Sequence, residues 1–163
     1  EMCIRDRDMA AHTMDAAVCS IFLLDEAGEN LELRSAKQIA SNYKHRPSLE
    51  LGAGVIGDVA MSGQPVYEAD ISTSPRFANT EQAKKEGLVS MLAVPLTVRD
   101  RTIGVLSCYT RELHEFSAQQ RALFATLANQ TALAIENARL VTNTAIVREM
   151  HHRIKNNLQM VHL

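Results

Sequence analysis

The chain has no tryptophan, and its few phenylalanines and tyrosines bring the aromatic share to only 4%. Stacking platforms for single-stranded nucleic acid are therefore poorly supplied. An excess of charge of one sign is also lacking. Seventeen Lys and Arg against 19 Asp and Glu leave a net charge of −2, so there is no global basic field to hold nucleic acid and no acidic tail. The three cysteines, Cys3, Cys19 and Cys108, share no C-x-x-C spacing, and neither a metal centre nor a disulfide framework is expected. No apolar run reaches the length of a membrane span and no signal peptide opens the chain, which makes the cytoplasm the expected location. What is present is 46% hydrophobic residues in 163. That is enough to fill the core of one ordinary domain and leave an appendage.

Residues Glu1 to Arg7 read EMCIRDR, which matches the translation of a transposon mosaic-end oligonucleotide used in sequencing libraries. Residues 1–7 are therefore expected to be non-native, and Cys3 carries no argument. At the other end the chain stops at Leu163 inside a helical pattern without a C-cap glycine. The sequence is expected to be a fragment cut at both sides.

Between the ends, the periodicity changes in a regular order. Asp8 to Ala16 has helical composition, and Val18 to Asp25 (VCSIFLLD) reads as a buried strand that ends in a Glu-Ala-Gly-Glu-Asn turn. Asn30 to Lys37 alternates Leu31, Leu33 and Ser35 against Glu32, Arg34 and Ala36, the pattern of a half-exposed strand, so the two runs predict a hairpin. Gln38 to Leu51 has no clean period and reads as a loop. Gly52 to Gly63 predicts a short helix bracketed by glycines, Pro65 to Ala69 a strand, and Asp70 to Asn79 a set of turns. Thr80 is the expected N-cap of a second short helix that ends at Gly87. Leu88 to Val98 and Thr102 to Thr110, joined by Arg99-Asp100-Arg101, predict a second hairpin. Ser117 followed by Gln120 forms a capping box. From Ser117 the helical pattern runs to Leu163, or about 70 Å at 1.5 Å per residue, and a helix of that length needs a partner helix.

That order of elements, together with the segments SIFLLDEAGENLELRSA, LGAGVIGDVAMSGQPVYEADISTSPRF, EGLVSMLAVPLTVRDRTIGVLSCYT and FSAQQRALFATLANQTALAIENARL, resembles a GAF domain over residues 8–140. The resemblance implies an α+β fold: a PAS-like antiparallel sheet with helices on one face, a ligand pocket between the other face and the loops, and a long C-terminal signalling helix. The Asn-Lys-Phe-Asp-Glu set of cyclic-nucleotide-binding GAF domains and a bilin-attaching cysteine are not found, so the ligand is left open. Cys19 and Cys108, in strands, are expected to be small buried hydrophobes. His12, His45 and His114 are isolated, with surface or cap roles expected ahead of haem ligation.

A second resemblance covers residues 141–163. Arg148 to Met160, REMHHRIKNNLQM, resembles the phosphoacceptor box of sensor histidine kinases of the HHRxKNNLQ branch. Leu133, Leu140, Val147, Ile154 and Val161 recur every seven residues, and with that column at heptad position a, His152 falls at f, facing away from a partner helix, and His151 at e. His152, Ile154, Lys155, Asn156 and Leu158 also match the H-x-[I/L]-[R/K]-N-x-L skeleton of the wider kinase family, which a start at His151 breaks. His152 is the expected phosphoacceptor, with Glu149, Lys155 and Asn156 in supporting roles. Neutral imidazole attacks the γ-phosphoryl group, and Lys155 and Asn156 can supply a cation and a donor to it. Arg153 stands where many kinases place an acid after the histidine. Taken singly, the charges around His152 also suit the solvated face of a coiled coil.

The resemblance implies the sensory and phosphoacceptor part of a cytosolic two-component histidine kinase. A homodimer through the 117–163 helix passes its phosphate to a response regulator, and ATP is the cofactor of the intact parent. No glycine-rich ATP lid occurs in these residues, so alone they are expected to be inactive. The competing expectation is a non-enzymatic GAF ligand-binding or dimerisation module coupled to another output. A GAF-type methionine sulfoxide reductase needs more catalytic cysteines than Cys19 and Cys108 offer.

Overall fold

The structure, a computed structural model, describes residues 18–37, 48–77 and 80–161. The expectations for residues 1–7, for a helix at 8–16 and for most of the 38–51 loop lie outside the described residues.

Alternation and length decide the strands. Strand β1 (Val18–Leu24) and β2 (Asn30–Lys37) form the first hairpin, and β5 (Ser90–Val98) and β6 (Arg101–Thr110) the second. Strand β4 (Val66–Glu68) lies at one edge. Strand β3 (Leu49–Glu50) lies at the other edge, a two-residue pairing inside the segment expected to be a loop. The sheet is antiparallel throughout its described pairs, in the order β3-β2-β1-β6-β5-β4. The β5–β6 turn holds Arg99 at φ 48 and Asp100 at φ 62, the two left-handed residues a tight hairpin requires, without the usual glycine or asparagine pair. Gly104 marks the closest approach between strands. A Cβ there would run into the Phe22 carbonyl oxygen and the Leu23 side chain across β1, so only glycine fits.

Helices cover both faces, which corrects the expectation of helices on one face. Helix α1 (Gly54–Ser62) ends at Gly63, whose φ of 66 and N–H bond to the Val59 carbonyl form a left-handed cap. It buries Val55, Ile56 and Val59 with Phe22, Val105 and Tyr109 on one face of the sheet. Helix α2 (Thr80–Lys85) contributes Ala83 to the same layer. Thr80 is thus the first residue of α2 and not its N-cap, because the helix begins one residue earlier than the sequence pattern suggests. Helix α3 (Ala118–Val161) covers the opposite face, where Phe124, Leu127, Ala128, Ala132 and Ile135 meet Cys19, Ile21, Leu92, Leu106 and Cys108. The central strands are buried on both sides, so their runs read as continuous hydrophobic stretches.

Candidate functional site

The candidate site is built on α3, and its position is set at the helix start. Gln120 N–H donates to Ser117 Oγ at 3.1 Å, and Ser117 N–H donates back to Gln120 Oε1 at 3.0 Å. This is the capping box expected from the spacing, and it satisfies two donors that a helix end leaves open. His114 joins the cap. Its Nε2 lies 3.1 Å from Gln120 Oε1, and its ring meets Phe116 edge-on at 4.7 Å, in keeping with the cap role expected for it.

The cap is fastened to the sheet. Tyr67 Oη on β4 donates to the His114 carbonyl at 2.8 Å, and its ring lies 4.9 Å beneath the Arg121 guanidinium. Burial, ahead of the nearby Glu115 charge, pushes the Tyr67 phenol up. Ser90 Oγ accepts from His114 N–H at 2.9 Å and donates to the Ala69 carbonyl at 2.7 Å. The start of α3 is therefore tied to β4, β5 and the turn that follows β4, where Asp70 Oδ1 accepts from Ser72 N–H and Oγ. Those bonds hold the Asp70 carboxyl below the usual aspartate range.

Past Ile135, α3 leaves the sheet. Residues 137–142 are all exposed. Where the helix departs, an open cleft of about 610 Å³ lies between it and the β1–β2 hairpin, lined by Leu23, Leu24, Arg34, Ile135, Ala138 and Arg139 among others. This cleft is on the α3 side, not on the loop side where the resemblance places a ligand pocket. The loop that would line the expected pocket, 38–47, is outside the described residues.

Three apolar side chains on α3 are half exposed at an interval of seven: Leu133 at 55%, Leu140 at 53% and Val147 at 50%. At about 100° per residue this column lies about 150° around the helix from the face that packs on the sheet. The three side chains form an exposed, regularly spaced apolar column on a helix of about 66 Å.

Position 152 is exposed, on an unbroken stretch of α3 and about 120° around the helix from that column. Glu149, expected as a supporting residue, is taken up by Arg153: Nη2 donates to Glu149 Oε1 at 2.6 Å in an exposed i,i+4 pair. Exposed pairs of this kind contribute below about 1 kcal/mol, so the carboxylate is only loosely held. Lys155 and Asn156 continue the helix, and their side chains, with that of His151, lie outside the described residues.

Cys19 and Cys108 pair directly across β1 and β6, both fully buried. Burial first, and then the neighbouring Cys19, push the Cys108 thiol well above its usual range, as suits an inert packing residue. Among the described residues no group of three or more His, Cys, Asp or Glu is placed to hold a metal ion, and no described helix is long and apolar enough to cross a membrane.

Comparison with known proteins gives the context. A family model described as GAF domain matches residues 8–136. The "Phosphoenolpyruvate-dependent phosphotransferase system" protein of Escherichia coli K12 is 28% identical over 127 residues, 78% of this chain and 17% of that protein. The chain thus spans about a sixth of the length of the curated relatives it matches. The crystal structure of the GAF domain from an Acinetobacter phosphoenolpyruvate-protein phosphotransferase is 28% identical, with a TM-score of 0.72 over 84% of this chain and 81% of that one. The crystal structure of a domain of a two-component sensor histidine kinase protein from Sinorhizobium meliloti is 20% identical, with a TM-score of 0.70 over 85% and 90%. At that identity the likeness is one of fold.

Proposed function

The chain belongs to the GAF domain family, and from that premise we propose that it is the sensory and phosphoacceptor part of a cytoplasmic two-component histidine kinase. The observation that carries the reading is the placement of the HHRxKNNLQ box on α3, which continues from a capped start on the sheet, past a half-exposed Leu133, Leu140 and Val147 column, to an exposed residue 152. Two copies pair through that column, and His152 faces away from the seam. ATP is held by a separate catalytic domain, whose γ-phosphoryl group His152 Nε2 or Nδ1 attacks as the neutral imidazole. The N–P bond forms as the bond to ADP breaks, with Lys155 and Asn156 neutralising charge on the transferring group. The phosphate then passes to an aspartate of a response regulator.

The signal enters through the domain. A change in the turn after β4 reaches the cap of α3 through Ala69, Ser90 and His114, and α3 carries it about 25 Å further from Ile135 to His152 as a rotation or a change of register.

A second reading rests on the phosphotransferase relatives at 28% identity: a GAF sensory module joined to a different output. The gene sequence beyond the codon for Leu163 separates the two. The kinase reading expects a second helix, then an ATP-binding domain with an Asn box and a glycine-rich lid. A phosphoenolpyruvate-utilising domain, or a stop codon directly after Leu163, contradicts it.

A further inference from the structure

The ion pair beside residue 152 has a direction as well as a partner. Around α3, with residue 152 as the reference, Glu149 lies about 60° and Arg153 about 100° to one side, and Arg148 about 40° to the other. Helical side chains lean back toward the N-terminus, so a ring at 152 lies over the turn that holds Arg148 and Glu149. Arg153 leans the same way, because its Nη2 donates to Glu149 Oε1 at 2.6 Å. The guanidinium is thereby drawn out of its own turn to the flank of the ring at 152.

That bond occupies one of the five N–H donors of a guanidinium. The Arg153 side chain is 75% exposed, so its planar fork stays open to a second ligand, and two parallel N–H groups match the oxygens of a phosphoryl group. Charge points the same way. A phosphoryl group on residue 152 brings a charge of about −1.5 to −2 to within one turn of the Glu149 carboxylate, and a cation between the two relieves their repulsion. The residue after His152 is thus a cation with a fixed direction, where an acid would only add to the repulsion.

We propose that Arg153 is a phosphoryl-binding residue, its guanidinium directed by Glu149 onto the group that His152 carries. This role rests on the reading of His152 as the phosphoacceptor and divides the work beside it: Glu149 positions and Arg153 binds. The contact makes and breaks no covalent bond. Once the N–P bond has formed and ADP has left, the open donors of Arg153 meet the phosphoryl oxygens while Nη2 keeps the carboxylate.

Full-length protein brought to equilibrium at a fixed ratio of labelled ATP to ADP, with the phosphoryl group followed by phosphorus NMR against pH, tests this. Arg153→Gln is expected to lower the ratio of phosphorylated to free protein by about fivefold, the upper end for one exposed ion pair. Its phosphoryl titration should move to higher pH, because the cation that favours the dianion is gone. Glu149→Gln added to Arg153→Gln should recover about twofold of the ratio and move the titration back toward lower pH, since it removes the unscreened like charge. Arg148→Gln, which takes away an equal charge on the other side of the ring, should stay within about twofold of the parent. Labelled parent protein with an unmoved ratio and titration in Arg153→Gln, no recovery in the double variant, or an Arg148→Gln effect as large as that of Arg153→Gln overturns the role given to Arg153 and leaves the phosphoacceptor assignment standing. A parent protein that takes no label at residue 152 removes both.

Discussion

In the full-length protein supplied with ATP, His152→Ala is expected to lower acid-labile phosphate incorporation by at least about 100-fold, because it removes the nucleophile itself. His151→Ala is expected to leave incorporation within about threefold of the parent. The difference follows from the helix geometry: residue 152 is exposed about 120° from the Leu133, Leu140 and Val147 column, whereas residue 151 is one step nearer the seam. Lys155→Met or Asn156→Ala should cost about 100-fold, the lower end of the usual loss when one group that stabilises charge in transfer is removed. Glu149→Gln should cost far less, since its carboxylate is paired with Arg153 at 2.6 Å. Phosphorimaging of the acid-labile label, normalised to protein, checks all five variants. Equal label on the parent and on His152→Ala removes the phosphoacceptor assignment.

The second large effect concerns the helix pair. Leu140→Asp with Val147→Asp places two carboxylates per copy on the seam, where neither finds a counter-charge. The dimer is expected to weaken by at least about 100-fold, which corresponds to about 2.7 kcal/mol. The domain itself should keep its melting temperature, because both positions lie past Ile135, the last buried α3 residue among the described residues. Sedimentation equilibrium and circular dichroism on the same samples separate the two effects. A fall in melting temperature without dissociation shows that the column belongs to the fold and not to an interface.

Much of this architecture is legible in the sequence, for identifiable reasons. The alternation of Leu31 and Leu33 with Glu32 and Arg34 marks a strand with one wet side, and the structure buries Leu31 fully while leaving Glu32 and Arg34 exposed. Ser117 and Gln120 announce the start of α3 because a capping box is a local arrangement that tertiary packing does not need to create. The two-sided core is less legible. In β1 and β6 both sides of the strand are buried, so VCSIF and IGVLSCYT show hydrophobicity without alternation and do not say which residues face α3. Strand β3 is too short to produce a period.

The Ser20–Ser107 pair could not be seen in advance, although its signal is present. A serine interrupts each of the two apolar runs, and only the β1–β6 register brings the two hydroxyls together. The turn at Arg99 and Asp100 is a similar case. Its hairpin position is evident from the flanking strands, while its left-handed backbone is imposed by their pairing and not by residues that prefer it. The pairing of Glu149 with Arg153 follows from i,i+4 spacing alone.

Phosphotransfer at His152 requires a parallel pair of α3 helices that meet along the Leu140 side, and cysteine cross-linking tests this most directly. In a Cys3→Ser background, with Cys19 and Cys108 buried, Leu140→Cys and Ala138→Cys are oxidised separately under mild conditions and resolved on a non-reducing gel. Leu140→Cys is expected to yield a covalent dimer, since facing seam positions fall within disulfide reach, and Ala138→Cys, about 160° around the helix, is expected to remain a single chain. Cross-linking at Ala138 equal to or above that at Leu140, or none at either, would contradict it.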